Sequence, residues 1–242
     1  MKEIPVLMYH KFGKVKENDS YTTEKEFRRH LRILKFLGYK TITFKDLEKI
    51  SLNNRFKEKY IIITSDDGYK NNYEIMFPVL KEFNAKATIY LVSELDYNKW
   101  DVDLHRSKRL ELMNKNEITE MIESGLIEFG GHTLHHVDFH KIDLDVAKTE
   151  IFENKKNLEE RYNIKLTSFA YPWGHLTKEV KNLVAEAGYK FAVSTDTGTG
   201  IFTDDLYEIR RSGIDKTSIF DFLRKISFKY SIYKGKKYLK NK

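Results

Sequence analysis

The sequence predicts an α/β chain folded as one distorted (β/α) barrel of about seven parallel strands. Short apolar, β-branched runs recur along the 242 residues and alternate with helical patterns, the mark of repeated β/α units. Polar, chemistry-bearing residues interrupt these runs at one end only. A glycine-rich dinucleotide fingerprint, which would favour an open doubly wound sheet, is missing, and Gly198 with Gly200 does not make one.

The first strand is expected over residues 4–9, IPVLMY. Thr23 and Glu26 then form a capping box ahead of Phe27, Leu31 and Leu34, which share one helical face, and Gly38 stops the helix. Strands follow at 41–44, 60–64, 87–92, 127–130, 166–171 and 191–195. Helices are expected at 72–83, 116–124, 144–162 and 178–187, with Gly188 just past the last. Residues 93–109, with Trp100, Asp101, Asp103 and His105, read as a surface insertion, a substrate wall being the alternative. The barrel is assigned to 1–215, and 216–242 to a basic amphipathic helix and tail.

Composition narrows the function. With no cysteine, thiolate chemistry and disulfides are excluded, so any metal must be held by His, Asp or Glu. The net charge of +7 and pI near 9.2 come largely from the end of the chain. From Lys216 onward, Arg224, Lys225, Lys229, Lys234, Lys236, Lys237, Lys240 and Lys242 face only Asp221, with aromatic residues interleaved. The plain reading is a helix packed on the barrel with a solvated tail, and the alternative is contact with an anionic membrane surface. Scattered lysines without a binding module do not indicate specific nucleic-acid recognition. The opening MKEIPVLMYH has too short an apolar core for a signal peptide, and no later stretch can span a bilayer. A cytoplasmic protein is expected, with a place at the inner membrane face as a variant.

Chemistry collects at the C-terminal ends of the strands: His10 after VLMY, Asp66-Asp67-Gly68 after IIITS, His132 to His136 after IEFGG, and Tyr171-Pro172-Trp173-Gly174 after LTSFA. In a β/α barrel that face gathers sequence-distant segments into one cleft. Adjacent carboxylates behind a buried strand need a neutralising partner, although an Asp-Asp-Gly surface turn has the same sequence. Asp67 is the candidate metal ligand and Asp66 the candidate base. His132 and His136, four apart, can reach one ion from a curled loop and complete a His-His-carboxylate set. His135 and His140 read as exposed or supporting residues. His10, on the same face, is the candidate acid.

These segments resemble the polysaccharide deacetylase family, the NodB-homology carbohydrate esterases. TSDDG at 64–68 is similar to that family's TFDDG motif, and HTLHH at 132–136 to its His-Ser/Thr-x-x-His motif. The resemblance implies Asp66 as base, Asp67, His132 and His136 as ligands of a divalent ion (Zn, with Co or Ni as alternatives), and an N-acetylated carbohydrate as substrate. FAYPWG at 169–174 is similar to the third motif, which implies that Tyr171, Pro172 and Trp173 line the substrate groove and that the Trp173 N–H serves the oxyanion. Ala170 stands where many members carry an arginine, and Arg211 is the candidate replacement, a surface arginine being the alternative. Ser65 in place of the usual Phe is expected to change packing beneath the site. An acid supplied by the N-terminal VLMYH segment resembles the branch that deacetylates poly-β-1,6-N-acetylglucosamine. A non-catalytic carbohydrate-binding protein on the same barrel is the competing reading.

Overall fold

The computed structural model describes residues 3–14, 21–50, 58–198, 205–215 and 217–240. Gly200, Lys216 and Lys242, which entered the sequence reading, lie outside them. Strand β1 (Val6–Tyr9) is followed by a small parallel pair, β2 (Lys11–Phe12) and β3 (Tyr21–Thr22). Helix α1 (Glu24–Phe36) starts at the expected box: the Glu26 N–H donates to Thr23 Oγ1 at 3.2 Å and the Thr23 N–H to the Glu26 carboxylate at 2.9 Å. It buries Phe27, Leu31 and Leu34 as their spacing predicts, and also His30, whose ring stacks on Phe222 at 4.0 Å.

The strand expected at 41–44 is β4 (Tyr39–Ile42) and ends earlier, because Thr43 accepts from the Asp46 N–H and caps a helix, α2 (Phe44–Lys49). Phe44 therefore belongs to a helix. After β5 (Lys59–Ser65), a π-turn over Asn72–Met76 leads into α3 (Phe77–Phe83) and β6 (Ala87–Leu91). Short α4 (Lys99–Val102), α5 (Lys115–Glu123), β7 (Ile127–Gly131) and α6 (Leu144–Tyr162) come next. Then follow β8 (Ser168–Ala170), α7 (Lys178–Glu186), β9 (Phe191–Val193), β10 (Ser212–Gly213), α8 (Ile219–Lys225) and α9 (Phe228–Lys240).

Parallel pairing runs β1–β5–β6–β7–β8–β9, with Val6 opposite Ile62, Ala87 opposite Ile127 and Phe169 opposite Ala192. The stretch before and through β10 closes the ring. Ile209 bridges Val193 in β9, and Ser212 and Gly213 pair with Leu7 and Met8 in β1. The distorted barrel thus has seven parallel strands, but β4 lies beside β5 while the polar segment 209–213, unassigned in the sequence, completes the wall.

Strand alternation separates two faces. Leu7, Ile61, Ile63, Ile89, Phe129 and Phe169 point outward into the main core with α1, α3, α5, α6 and α7. Val6, Ile62, Tyr90, Ala170, Val193 and Ile209 fill the barrel, and Phe44 and Leu47 of α2 join them. Gly130 is required in this interior, since a Cβ there would lie 2.5 Å from the Tyr90 ring and 2.7 Å from the Ser168 carbonyl. Helix α8 buries Phe222 and Ile226 in the main core, and α9 follows, with Lys234 paired to Asp196.

Candidate active site

At the end of β5 the chain turns on two residues in the left-handed region, Asp67 (φ 75°) and Gly68 (φ 74°). A side chain at Gly68 would place a Cβ 2.7 Å from Leu91, so glycine lets Asp67 face the barrel mouth. His132 follows β7, and the loop curls back through Thr133 (φ 68°) to His136 (φ 57°). The Nε2 atoms of both histidines lie 3.3 Å from Asp67 Oδ1, and all three residues are buried. Backbone strain of this kind, concentrated beside a cleft, marks a site that the surrounding fold over-determines.

The donor set fits a divalent ion. His132 Nδ1 sits 2.7 Å from the Ala170 carbonyl, which can only accept, so the proton is on Nδ1 and Nε2 is left to act as a lone-pair donor. Burial pushes His136 below its ordinary pKa despite the neighbouring Asp67 carboxylate, which favours a neutral ring. Among the described residues, Asp67 Oδ1 has no hydrogen-bond donor. Two imidazole nitrogens and an orphaned carboxylate oxygen converging in a buried site are mutually repulsive unless a cation joins them.

Helix α6 holds this loop in place from below. Glu150 accepts the N–H groups of Leu134 and His135 at 2.9 and 3.0 Å and the His135 Nδ1–H at 2.7 Å. One turn on, Asn154 Nδ2 donates to the Thr133 carbonyl at 2.6 Å. Neither residue was singled out in the sequence. Their signal was two polar side chains on the buried stripe that also carries Ala147, Ile151 and Leu158.

Asp66 lines the same pocket as the triad. Arg211, fully buried, holds it through two parallel hydrogen bonds, Nη1 to Oδ1 at 2.5 Å and Nη2 to Oδ2 at 2.6 Å. The same guanidinium donates to Thr64 Oγ1 at 3.1 Å and, through Nε, to the Ser194 carbonyl at 2.7 Å. Burial alone would raise the Asp66 pKa, but Arg211 outweighs it and holds the carboxyl below its ordinary value. A surface role for Arg211 is thereby excluded.

His10 closes the other side, its Nε2 3.9 Å from Asp66 Oδ2 and its Nδ1 3.4 Å from Asp215 Oδ2. Burial opposes its protonated form, yet Asp215, Asp66 and Asp67 together push its pKa up to about 9. Its backbone is pinned as well: the His10 carbonyl accepts from Asn72 Nδ2 at 2.8 Å and from Ser65 Oγ at 3.2 Å. Ser65 therefore fixes the His10 main chain by hydrogen bonding, where a packing change was expected. Asp215 escaped the sequence reading because it lies beyond β10, whose strand character is weak.

His10, Asp66, Asp67, His132, His136 and Asp215 line a pocket of about 240 Å³. Trp100 stacks on the His136 ring at 4.3 Å, and Trp173 (φ 61°) meets the same ring edge-on at 4.9 Å. Asp101 and Lys11, 3.4 Å apart, complete the rim. Trp100 and Asp101 thus make segment 93–109 part of the pocket wall, the alternative to an ordinary surface insertion. Tyr171 and Trp173 line the pocket, but Pro172 is buried in the turn between them and is not among the lining residues. His135 is half exposed and turned away toward Glu150.

A family model described as polysaccharide deacetylase matches residues 53–192, which carry the Asp66-Asp67 turn, the His132–His136 loop and the Trp173 turn. The chain belongs to the polysaccharide deacetylase family. It is a hydrolase of the deacetylase class. The deacetylase shares 26% identity over 205 residues with a poly-β-1,6-N-acetyl-D-glucosamine N-deacetylase of Staphylococcus epidermidis, a match spanning 81% of this chain and 69% of that one. A polysaccharide deacetylase from Bacillus cereus superposes with a TM-score of 0.77 at 28% identity, over 93% of this chain and 69% of the other. The fold is shared with the Streptococcus pyogenes deacetylase PplD, at a TM-score of 0.80 and 24% identity, over 93% and 98% of the two chains. The expected likeness to the poly-β-1,6-N-acetylglucosamine branch is met at the level of sequence.

Proposed function

We propose that this deacetylase removes N-acetyl groups from N-acetylglucosamine-type polysaccharides or sugar precursors. One observation carries the reading: Asp66 and His10, 3.9 Å apart, flank an Asp67-His132-His136 cluster in one pocket. Asp67, His132 and His136 would hold a divalent ion of the Zn, Co or Ni type. Bound there, it would supply Lewis-acid polarisation of the acetyl carbonyl and acidify water.

The chain's own residues do the rest. Asp66 takes a proton from the attacking water as the new carbon–oxygen bond forms, and Arg211 keeps that carboxylate ionised and aimed. His10 gives its proton to the departing amine nitrogen as the carbon–nitrogen bond breaks, leaving acetate and a free amino sugar. The Trp173 turn, with its N–H directed at the developing oxyanion, would lower the barrier further. Trp100 and Trp173 supply flat apolar walls for a sugar ring.

The test is acetate release from fully acetylated β-1,6-linked N-acetylglucosamine oligomers. Asp66→Asn should lower the rate roughly 100- to 10,000-fold, as loss of a general base does. Equal rates in parent and variant would refute the assignment.

The C-terminal helices support a location for this chemistry. Phe220 is 81% and Tyr233 60% exposed, and Lys229, Lys236, Lys237 and Lys240 are exposed on α9. We propose that this face rests on an anionic lipid surface. Among the described residues, no helix is long and apolar enough to cross a membrane. Replacing the four lysines by glutamate should abolish sedimentation with phosphatidylserine vesicles. Unchanged sedimentation contradicts the proposal.

A further inference from the structure

Beside the pocket, a second cluster joins the two loops that carry its walls. Asp138 and His140 lie just past His136, and His175 lies just past Trp173. The ligand atoms of these three residues lie within 4.8 Å of one another. Among the described residues, only this cluster and the Asp67 triad bring three such groups together. Asp138 Oδ1 is 2.7 Å from His175 Nδ1 and accepts the His140 backbone N–H at 3.0 Å, an Asx-type turn that aims the carboxylate across the gap between the loops. The two imidazoles stack at 4.4 Å with 13° between their planes.

We propose that Asp138, His140 and His175 form a second divalent-cation site, taking Zn²⁺ or a similar borderline ion, that staples the His136 loop to the Trp173 turn. Two imidazoles and a carboxylate make a donor set suited to such an ion, with a fourth position left to water. The cluster already draws cationic charge, since Lys141 Nζ lies 3.1 Å from Asp138 Oδ2. That side chain is 74% exposed, so an arriving ion displaces it into solvent at small cost. His140 is exposed and free to rotate out of the stack, turning a ring nitrogen toward the carboxylate. Among the described residues, its other side-chain hydrogen bond is a long one, 3.5 Å, to the Leu176 carbonyl.

The triad is buried and this cluster is open to solvent, so the two sites fill independently. The second site is argued from its own residues, and only the expected count of two ions rests on the proposed Asp67-His132-His136 site. An ion here would cross-link the loop holding a ligand of the first site to the turn holding Trp173, and so stiffen the pocket wall from outside.

The experiment is equilibrium dialysis of the whole, metal-stripped protein against zinc, with ions counted by elemental analysis. The parent should bind about two ions per chain, while His140→Ala/His175→Ala and Asp67→Asn should each bind about one. Because His140 and His175 are at least partly exposed, their double variant should keep the parent's circular dichroism. In Asp67→Asn, zinc should slow hydrogen exchange over residues 137–143 and 174–177, and it should have no such effect once His140 and His175 are also replaced. Equal ion counts in the parent and the double variant would overturn the proposal. Loss of both ions in Asp67→Asn would also overturn it, by showing that the second site does not exist independently.

Discussion

Arg211 and Asp66, 145 residues apart in sequence, form a two-pronged ion pair inside the barrel. The pair joins the strand that closes the ring to the strand that carries the candidate base, so one contact serves fold and chemistry together. Removing the arginine takes the two-pronged partner from a buried carboxylate and leaves it only the more distant His10, 3.9 Å away. Arg211→Met should therefore cost about 3–5 kcal/mol, read by urea unfolding. The Asp66 carboxyl is held below its unfolded value, so the pair's stability is present above about pH 4 and is lost as pH falls through the folded value. A variant as stable as the parent would contradict this picture of the interior.

On the proposed roles, Asp215 and His10 set the alkaline side of the pH profile. Burial lowers the His10 pKa, but the surrounding carboxylates raise it further, to about 9. If His10 is the acid, activity should decline as pH rises through that value. Asp215→Asn removes the nearest charge, so the decline should move to lower pH by about one unit or more. An alkaline limb that stays in place would remove Asp215 from the account.

The helix α6 clamp should be visible in metal affinity. Glu150→Ala frees three donors that hold residues 134 and 135. Comparable outer-shell losses weaken metal binding about 10- to 100-fold, and competition with a chelator would measure it.

Gly130→Ala tests the packing of the interior. The added methyl meets the Tyr90 ring and the Ser168 backbone well inside contact distance. Overpacking of this kind costs about 1–3 kcal/mol, and the melting temperature should fall accordingly.

Local signals explain what was legible in the sequence. The Thr23–Glu26 box and the bounds of α6 depend on neighbouring residues, and both appear in the structure as read. Thr43 was hidden because its capping role depends on Asp46, inside a run that reads equally as strand. The closing segment at 209–213 was missed because Arg210, Arg211 and Ser212 look like surface, and Asp66, which neutralises Arg211 within the barrel, is far away in the chain. The same limit applies at the site. Motif spacing singled out Asp66, Asp67, His132 and His136, which lie together, whereas Asp215, Glu150 and Asn154 owe their places to tertiary contacts that no local pattern encodes.

The central claim joins a metal centre to deacetylation, and a zinc titration of metal-stripped protein with an acetylated β-1,6-linked N-acetylglucosamine oligomer present tests both at once. Acetate release should start from near zero and rise with added zinc to a plateau, while Asp66→Asn should take up the same zinc and release roughly 100-fold less acetate or lower still. A parent protein that loads zinc, binds the oligomer and releases no acetate would contradict the account and leave a carbohydrate-binding protein on a deacetylase barrel.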